Sequence, residues 1–319
     1  MTKILITALG TMNSTFIAKY LKQKGYYVIG TDIYPNSYVQ TSYEIDKFIQ
    51  VPSIFDINNF EKKLLDICYQ KKVEYLIPII DEEVLYFSKN RDKYLNIGTK
   101  ICAPSIETVE ICRNKYNTFE FIKHNIPEIY IPTYKLSDFH MQIDLPLFCK
   151  PISGRASIGC FAIKDVPSLK YIQEKFDKTQ YIMQPYIDGR FFTIDFINNP
   201  NNKKCYTLAR EELVRNKNGC GTVVHIVKDT KIENIVSKIA QILNYQGVGN
   251  VELILDKNEH LNLIEINPRF SAGTEYSVRS GMKLIENEIK ITNGETEFLD
   301  CNINYNKIFT RRYETYESK

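Results

Sequence analysis

The sequence predicts an α/β protein whose first part is built on a parallel sheet and whose C-terminal part is α+β. Near the N-terminus, an amphipathic stretch (Thr15 to Lys24) lies between two short apolar runs (Lys3 to Ala8 and Tyr26 to Thr31). This is a β–α–β unit, which requires parallel strands. Residues 248–275 instead contain two apolar runs separated by a polar turn. That pattern predicts an antiparallel hairpin.

The first part continues with elements of the same kind. Phe48 to Val51 is predicted as a strand, Ile57 to Gln70 as an amphipathic helix and Val73 to Ile80 as a buried strand. Asp81 and Glu82 follow the last strand directly. Ligands of open α/β sheets bind beyond the carboxyl ends of the strands, so these acids are candidates for contacting an amino substrate. Acids that favour the N-terminus of a helix are an equally good interpretation.

A nicotinamide cofactor is a weak alternative at the β–α–β unit. Asp32 stands where an acid would contact a ribose, but the first turn contains only Gly10 of the glycines that dinucleotide binding needs. A dinucleotide site is therefore not the preferred interpretation of this region.

The predicted hairpin carries a candidate metal site. Side chains alternate along a strand, so Glu265 and Asn267 share one face, and Glu252 should lie opposite or diagonal to Glu265. Two carboxylates in apolar surroundings repel each other, and a divalent cation between them removes that cost. Oxygen ligands suit Mg²⁺ or Mn²⁺ rather than zinc. Arg269 adds a positive group beside this site. The alternative is a solvated edge hairpin with two incidental glutamates.

Composition and charge exclude several classes of function. The 319 residues have a net charge of +3, which gives no basis for binding nucleic acid or a membrane. Eight cysteines occur without any C-x-x-C pair, as expected for free thiols in a reducing compartment. The sequence begins with a strand rather than a signal peptide, and it has no apolar run long enough to span a bilayer. We therefore expect a cytoplasmic protein.

Glu252 together with the sequence E-I-N-P-R at 265–269 resembles the metal-binding signature of the ATP-grasp superfamily. The pattern is most similar to the synthetase unit of the carbamoyl-phosphate synthase large chain and its stand-alone relatives, which ligate carboxylates to amines. The resemblance implies a Rossmann-like N-terminal lobe, whose loops help to form the acceptor-substrate site, followed by a two-lobed ATP-grasp domain. The implied division is a pre-ATP-grasp domain at 1–112, a small lobe with a glycine flap at 113–180, and a C-terminal lobe with the metal site at 181–319.

The resemblance also implies a phosphate-binding region. Lys115 corresponds to the family's first nucleotide-binding lysine, although Asn114 replaces the usual Asp before it. Lys150 ends a predicted strand and begins the sequence K-P-x-x-G-x-x-S-x-G, which is similar to the family's glycine loop and is not a Walker A motif. The flap residues expected to contact phosphates are Gly154, Ser157 and Gly159. An ordinary hairpin with a glycine-rich turn is the alternative.

Adenosine contacts are expected at the strand from Tyr181 to Gln184. Gln184 corresponds to the family's adenine-binding side chain and Ile187 to the residue whose backbone contacts the ring. The family's ribose-binding acid corresponds to Phe191, which has no carboxylate, so Asp188 or a backbone group is expected to take its place.

Three residues are expected to act on the reacting groups: Arg269, Lys150 and Arg210. Arg269 would stabilise the charge of the transferring phosphoryl group and Lys150 would hold the phosphates. Arg210 and Arg215 correspond to a strand and loop that contact substrate in the family, although a solvated loop is equally compatible with this sequence.

The resemblance implies an ATP-dependent carboxylate–amine ligase that works through an acyl phosphate, with ATP and Mg²⁺ (or Mn²⁺) as cofactors. Two Mg²⁺ ions held by Glu252, Glu265 and Asn267 would bridge the phosphates. The partners of such a ligase would be a small carboxylate and an amine, and the resemblance is compatible with a homodimer. One alternative is phosphorylation of bicarbonate or carbamate, which requires an ammonia source. Another is a nucleotide-binding partner subunit without turnover, which the departures at Asn114 and Phe191 motivate.

Overall fold

The computed structural model describes residues 1–154 and 157–317, which contain a five-stranded, a four-stranded and a six-stranded β-sheet. The five-stranded sheet has the order β3-β2-β1-β4-β5, and all its pairs are parallel, which confirms the prediction for this part. Its strands are β1 (Lys3–Ile6), β2 (Tyr27–Asp32), β3 (Lys47–Gln50), β4 (Tyr75–Ile77) and β5 (Lys100–Ile101). The helices around it are α1 (Met12–Gln23), α2 (Ile57–Lys71), α3 (Asp81–Lys89) and α4 (Arg91–Leu95).

Two helices lead into the four-stranded antiparallel sheet, which has the order β6-β9-β7-β8. These elements are α5 (Ile106–Arg113), α6 (Lys115–Asn125), β6 (Tyr134–Lys135), β7 (Leu147–Pro151), β8 (Phe161–Ile163), α7 (Val166–Lys175) and β9 (Tyr181–Pro185). The Asn114 side chain caps α6 by accepting a hydrogen bond of 3.1 Å from the Asn117 backbone N–H. Asparagine is as good a capping residue as aspartate, so the start of α6 keeps its cap without the usual acid.

The six-stranded sheet is antiparallel and has the order β14-β13-β10-β11-β12-β15. Its strands are β10 (Gly189–Asn199), β11 (Lys204–Arg215), β12 (Gly221–Val227), β13 (Gly247–Asp256), β14 (Leu261–Asn267) and β15 (Ile308–Thr310). The helices here are α8 (Thr230–Ile242), α9 (Thr274–Arg279) and α10 (Leu284–Thr292). β13 and β14 form the predicted antiparallel hairpin. No helix in the described ranges is long and apolar enough to cross a membrane.

One apolar core joins the first and last parts of the chain. Ile6 and Ile17 belong to the same buried cluster as Ile197, Leu208 and Met282. The parallel sheet and the six-stranded sheet therefore share packing, and burial of these side chains contributes about 1.5–3 kcal/mol each. The division of the chain into domains at residues 112 and 180 stays a proposal. Strand β9, which this division assigns to the C-terminal lobe, lies in the four-stranded sheet of the small lobe.

A buried carboxyl group lies beside this core. Glu288 of α10 is 2% exposed and accepts a hydrogen bond of 2.7 Å from the Val248 backbone N–H. The nearby Arg91 guanidinium donates to the carbonyl oxygens of Ile101, Ala103 and Pro104. Burial raises the pKa of Glu288 to about 7 because its charged form loses hydration.

Glu288→Gln should raise stability at neutral and alkaline pH. In the unfolded chain Glu288 titrates near its ordinary pKa of 4.5, whereas in the folded chain it keeps its proton to about pH 7. Between these values the unfolded state binds fewer protons, so the free energy of unfolding falls as pH rises. Glutamine keeps an acceptor for Val248 and cannot ionise. The variant should lose this slope and be more stable than wild type by about 3 kcal/mol above the folded-state pKa.

Urea unfolding across this pH window measures the effect. Glu297→Gln is the matched control, because the Glu297 side chain is 79% exposed and should leave the profile unchanged. An equal pH slope in wild type and Glu288→Gln would contradict a protonated Glu288.

Candidate active site

A cavity of about 580 Å³ lies between the four-stranded and six-stranded sheets. Five neighbouring strands supply polar lining residues: Lys150 from β7, Gln184 from β9, Thr193 from β10, Arg210 from β11 and Glu252 from β13. Both predicted halves of a nucleotide site, the lysines and the carboxylates, therefore face one space.

The register of the six-stranded sheet places four polar residues in one row across neighbouring strands. Glu265 pairs with Glu252, Glu252 with Thr193, and Thr193 with Arg210. Directly opposed residues point to the same face of a sheet, and all four of these line the cavity. The two glutamates are thus direct cross-strand neighbours, as the hairpin pattern predicts.

The glutamate pair has the electrostatics of a cation site. Burial, and then repulsion from Glu265 and Glu212, raise the pKa of Glu252 to about 8. Burial works in the same direction on Glu265, but the positive charge of Lys115 and a hydrogen bond from Asn267 lower the pKa of that carboxyl overall. Two acids that differ in this way resist ionising together unless a positive charge lies between them.

The donor set fits Mg²⁺ or Mn²⁺. Glu252, Glu265 and Asn267 offer only carboxylate and amide oxygens, and the Asn267 amide nitrogen lies 3.1 Å from Glu265 Oε1. Within the described residues, no group of three or more His, Cys, Asp or Glu side chains is gathered for a metal. Two carboxylates with waters and substrate phosphates are nevertheless a usual magnesium environment.

Both predicted lysines lie beside the acid pair. Lys115 Nζ is 3.6 Å from Glu265 Oε2 and donates to the Gly154 carbonyl oxygen at 3.1 Å. Lys150 Nζ donates to the Ile264 carbonyl oxygen at 3.0 Å and lies 4.8 Å from the centre of the Phe119 ring. Burial, and then the charge of Lys115, lower the pKa of Lys150 to about 8. An anion that joined both lysines would relieve their mutual repulsion.

The predicted flap connects β7 to β8. Gly154 and Ser157 line the cavity. Gly159 has a left-handed φ of +74°, and a side chain there would meet Pro151 and the Tyr181 hydroxyl. Gly159 thus shapes the loop from behind rather than facing the cavity. Arg155 and Ala156 of this loop lie outside the described residues.

The predicted adenine contacts are at the apolar end of the cavity. Gln184 and Ile187 line it, together with Phe191. The Gln184 amide nitrogen donates to Thr133 Oγ1 at 2.8 Å, which leaves its oxygen as the acceptor for an exocyclic amine.

Asp188 is not brought to the site. Its side chain is 70% exposed and pairs with Lys257 at 3.3 Å. It follows β9 on the outer side of the turn into β10, so the expected ribose contact by Asp188 has no support from the geometry.

The environment of Arg269 differs from the expected one. Its guanidinium forms a two-point ion pair with Asp81 at 2.7 and 3.2 Å, across 188 positions of sequence. Burial opposes the charge, but Asp81 raises the pKa of Arg269 overall. Asp81 is the first residue of α3, as the helix interpretation of the acidic stretch predicted. Asp81 therefore contacts Arg269, and Arg269 reaches the cavity with one side already paired.

Arg210 is held on several sides. It is 1% exposed, forms an ion pair with the buried Asp195, and donates to Ser277 Oγ at 2.6 Å and Ser271 Oγ at 3.1 Å. These bonds fix the segment that follows β14 onto the sheet. Any contact between Arg210 and substrate stays a prediction.

Sequence reasoning missed Glu212. Its Oε1 accepts a hydrogen bond of 2.6 Å from Thr193 Oγ1, and its Oε2 lies 2.6 Å from Arg215 Nε. Arg215 also reaches Glu252 Oε2 at 3.3 Å and stacks 4.1 Å from the centre of the Phe191 ring. The only sequence signal was that Glu212 lies two residues after Arg210 on the same strand, so that both side chains point to the same face of the sheet.

The Asp32 side chain argues against a dinucleotide at the first turn. Its Oδ2 accepts a hydrogen bond of 2.8 Å from the Gly10 backbone N–H, and its Oδ1 accepts one of 3.1 Å from Tyr34 N–H. The carboxylate thus occupies the backbone donor that a cofactor phosphate would need.

Comparison with known proteins supports both halves of this description. A model described as the ATP-grasp domain matches residues 112–273, just over half of the chain, and the PylC-like N-terminal domain matches residues 4–102. The biotin carboxylase domain of Hydrogenobacter thermophilus 2-oxoglutarate carboxylase, solved with MgADP and bicarbonate, has a TM-score of 0.78 at 15% identity. That match covers 97% of this chain and 73% of the other.

Two amino-acid ligases are also similar to the chain. The L-amino acid ligase of Bacillus licheniformis has a TM-score of 0.72 at 17% identity, covering 92% of this chain and 74% of the other. A D-alanine–D-alanine ligase of Francisella tularensis subspecies novicida is 23% identical over 135 residues, which are 40% of this chain and 46% of the ligase. The match thus spans less than half of that relative. The fold is confirmed by the solved structures, and the domain match shows that this chain belongs to the ATP-grasp family.

Proposed function

We propose that the protein is an ATP-dependent ligase that joins a small carboxylate to an amine, releasing ADP and phosphate. The observation that carries this proposal is the cross-strand pair Glu252–Glu265 in one cavity with Lys115 and Lys150. Acids and lysines that face each other across a cavity match a metal–polyphosphate ligand, which needs both signs of charge.

Each part of the cavity has a task in this proposal. The apolar end at Gln184 and Ile187 binds adenine, and the two lysines hold the phosphates. Glu252, Glu265 and Asn267 would hold Mg²⁺, which neutralises phosphate charge when bound. Arg269 then stabilises the phosphoryl group in transfer, in an orientation fixed by Asp81.

The reaction needs no side-chain nucleophile. A carboxylate oxygen of the substrate attacks the γ-phosphorus of ATP, the bond to the bridging oxygen breaks, and ADP leaves. The amine nitrogen then attacks the acyl phosphate carbon, loses a proton and expels phosphate to leave an amide. The flap at Gly154 and Ser157 excludes water, which would otherwise hydrolyse the acyl phosphate. The protein contributes positioning and charge neutralisation.

The similar proteins support an acid and an amine as substrates. Two of them are named as ligases of amino acids, so we propose amino acids or related small molecules as the partners here. A homodimer is proposed by analogy with the biotin carboxylase domain, which was solved as a dimer. Because that structure also contains bicarbonate, phosphorylation of bicarbonate or carbamate is the second candidate.

The proposed function can be tested by incubating the protein with ATP, Mg²⁺ and pooled acids and amines. We expect ADP release together with a product whose mass equals acid plus amine minus water. Dependence of ADP release on bicarbonate alone would favour the second candidate. ATP binding without ADP release under any pool would contradict a ligase and favour a nucleotide-binding partner subunit.

Glu265→Gln should abolish turnover because the amide removes one negative charge from the cation site. We expect ADP release to fall by at least about 100-fold, the usual effect of removing one group that stabilises developing charge. The control is Glu259→Gln, at an exposed turn of the same hairpin, which should retain activity. If Glu265→Gln melts like wild type and turns over at the wild-type rate, the metal assignment is wrong.

A further inference from the structure

Arg215 occupies a position between two carboxylates. Its Nε lies 2.6 Å from Glu212 Oε2 and one terminal nitrogen lies 3.3 Å from Glu252 Oε2. Its guanidinium also covers the Phe191 ring at 4.1 Å. A positive group therefore already lies beside Glu252, one of the two acids assigned to the metal.

The Glu212 carboxylate has one oxygen that accepts no hydrogen bond from the described residues. Its side chain is 6% exposed and lines the cavity. Thr193 donates to Oε1, but Oε2 has no hydrogen-bond partner among the described residues. The reason is visible at Arg215, whose single Nε–H is donated to the Gly219 carbonyl oxygen at 3.0 Å. The contact with Glu212 is thus one of charge alone. A buried carboxylate oxygen that lacks a donor is a strong site for a cation.

We propose that Glu212 and Glu252 form a further cation position, separate from the one at Glu265 and Asn267, which the Arg215 guanidinium fills until a divalent metal displaces it. This inference deepens the proposed function and rests on it for the identity of the ligand as a metal–nucleotide. Glu252 then serves both positions, with Glu265 on one side and Glu212 on the other. Strand β10 lies between β11, which carries Glu212, and β13, which carries Glu252. Its Thr193 pairs with Glu252 and donates a hydrogen bond to Glu212, so β10 sets the distance between the two carboxylates.

Arg215 and a divalent cation cannot share this position. Like charges a few ångströms apart in a poorly hydrated cavity repel strongly. The two cations therefore compete for the carboxylates, and removal of one strengthens binding of the other.

Displacement of Arg215 would also break its hydrogen bonds to the loop between β11 and β12. Nε and one terminal nitrogen of Arg215 both donate to the Gly219 carbonyl oxygen, at 3.0 and 2.5 Å. A side chain at Gly219 would lie 3.1 Å from Ser157 Oγ of the flap. Metal binding at Glu212 thus acts on a loop that touches the phosphate-binding flap.

The test is a titration of the protein with Mn²⁺ in the absence of nucleotide. The concentration of free Mn²⁺ is measured by electron paramagnetic resonance. Arg215→Gln should bind Mn²⁺ about tenfold more tightly than wild type, within the range usual for coupling between two ligands. Adding Glu212→Gln to Arg215→Gln should remove most of this gain. Arg215→Lys keeps the positive charge on a shorter side chain with a single nitrogen, so it should show a smaller gain, and it serves if Arg215→Gln does not fold.

Lys115→Met is the matched control for loss of a nearby positive charge. Lys115 lies beside Glu265 rather than Glu212, so any gain in Lys115→Met should persist when Glu212→Gln is added. No gain in folded Arg215→Gln or Arg215→Lys, or a gain in Arg215→Gln that survives Glu212→Gln, would overturn the inference. If wild type binds no Mn²⁺ even with ATP, the metal assignment of the proposed function fails instead.

Discussion

Direct opposition of Glu252 and Glu265 on neighbouring antiparallel strands is the constraint on which the rest of the site depends. The ladder holds the backbones of these two residues opposite each other, so the two side chains start from neighbouring points on the same face of the sheet. Positive groups surround the pair as a consequence: Lys115 beside Glu265 and Arg215 beside Glu252. The cavity lining therefore carries charges of both signs, and a ligand that brings both a cation and phosphates can replace these contacts.

The N-terminal lobe takes part in this arrangement. Asp81 holds Arg269 with a two-point ion pair, and the Asn13 amide donates to the Phe270 carbonyl oxygen at 3.3 Å. Both contacts act on the residues that directly follow Asn267. An ion pair of this kind holds a guanidinium more rigidly than a single hydrogen bond. The first lobe thus positions a group at the far end of the metal site, in addition to sharing an apolar core with the six-stranded sheet.

Local patterns predicted much of the fold. Period-two alternation predicted that Glu252 lies opposite or diagonal to Glu265, and the structure shows direct opposition. The contacts that sequence reasoning missed join distant segments. The Asp81–Arg269 pair spans 188 positions, and nothing local at Asp81 distinguishes it from an acid that favours a helix N-terminus. Asp188 shows the opposite error, since a nearby acid was expected at the ribose but the turn directs it towards solvent.

Anomalous diffraction from crystals grown with Mn²⁺ and a nonhydrolysable ATP analogue is the most direct test of the site at Glu252 and Glu265. We predict an anomalous peak bonded to oxygens of Glu252, Glu265 and Asn267, with the triphosphate directed at Lys115 and Lys150. A triphosphate bound elsewhere, or manganese bound away from both glutamates, would contradict the account.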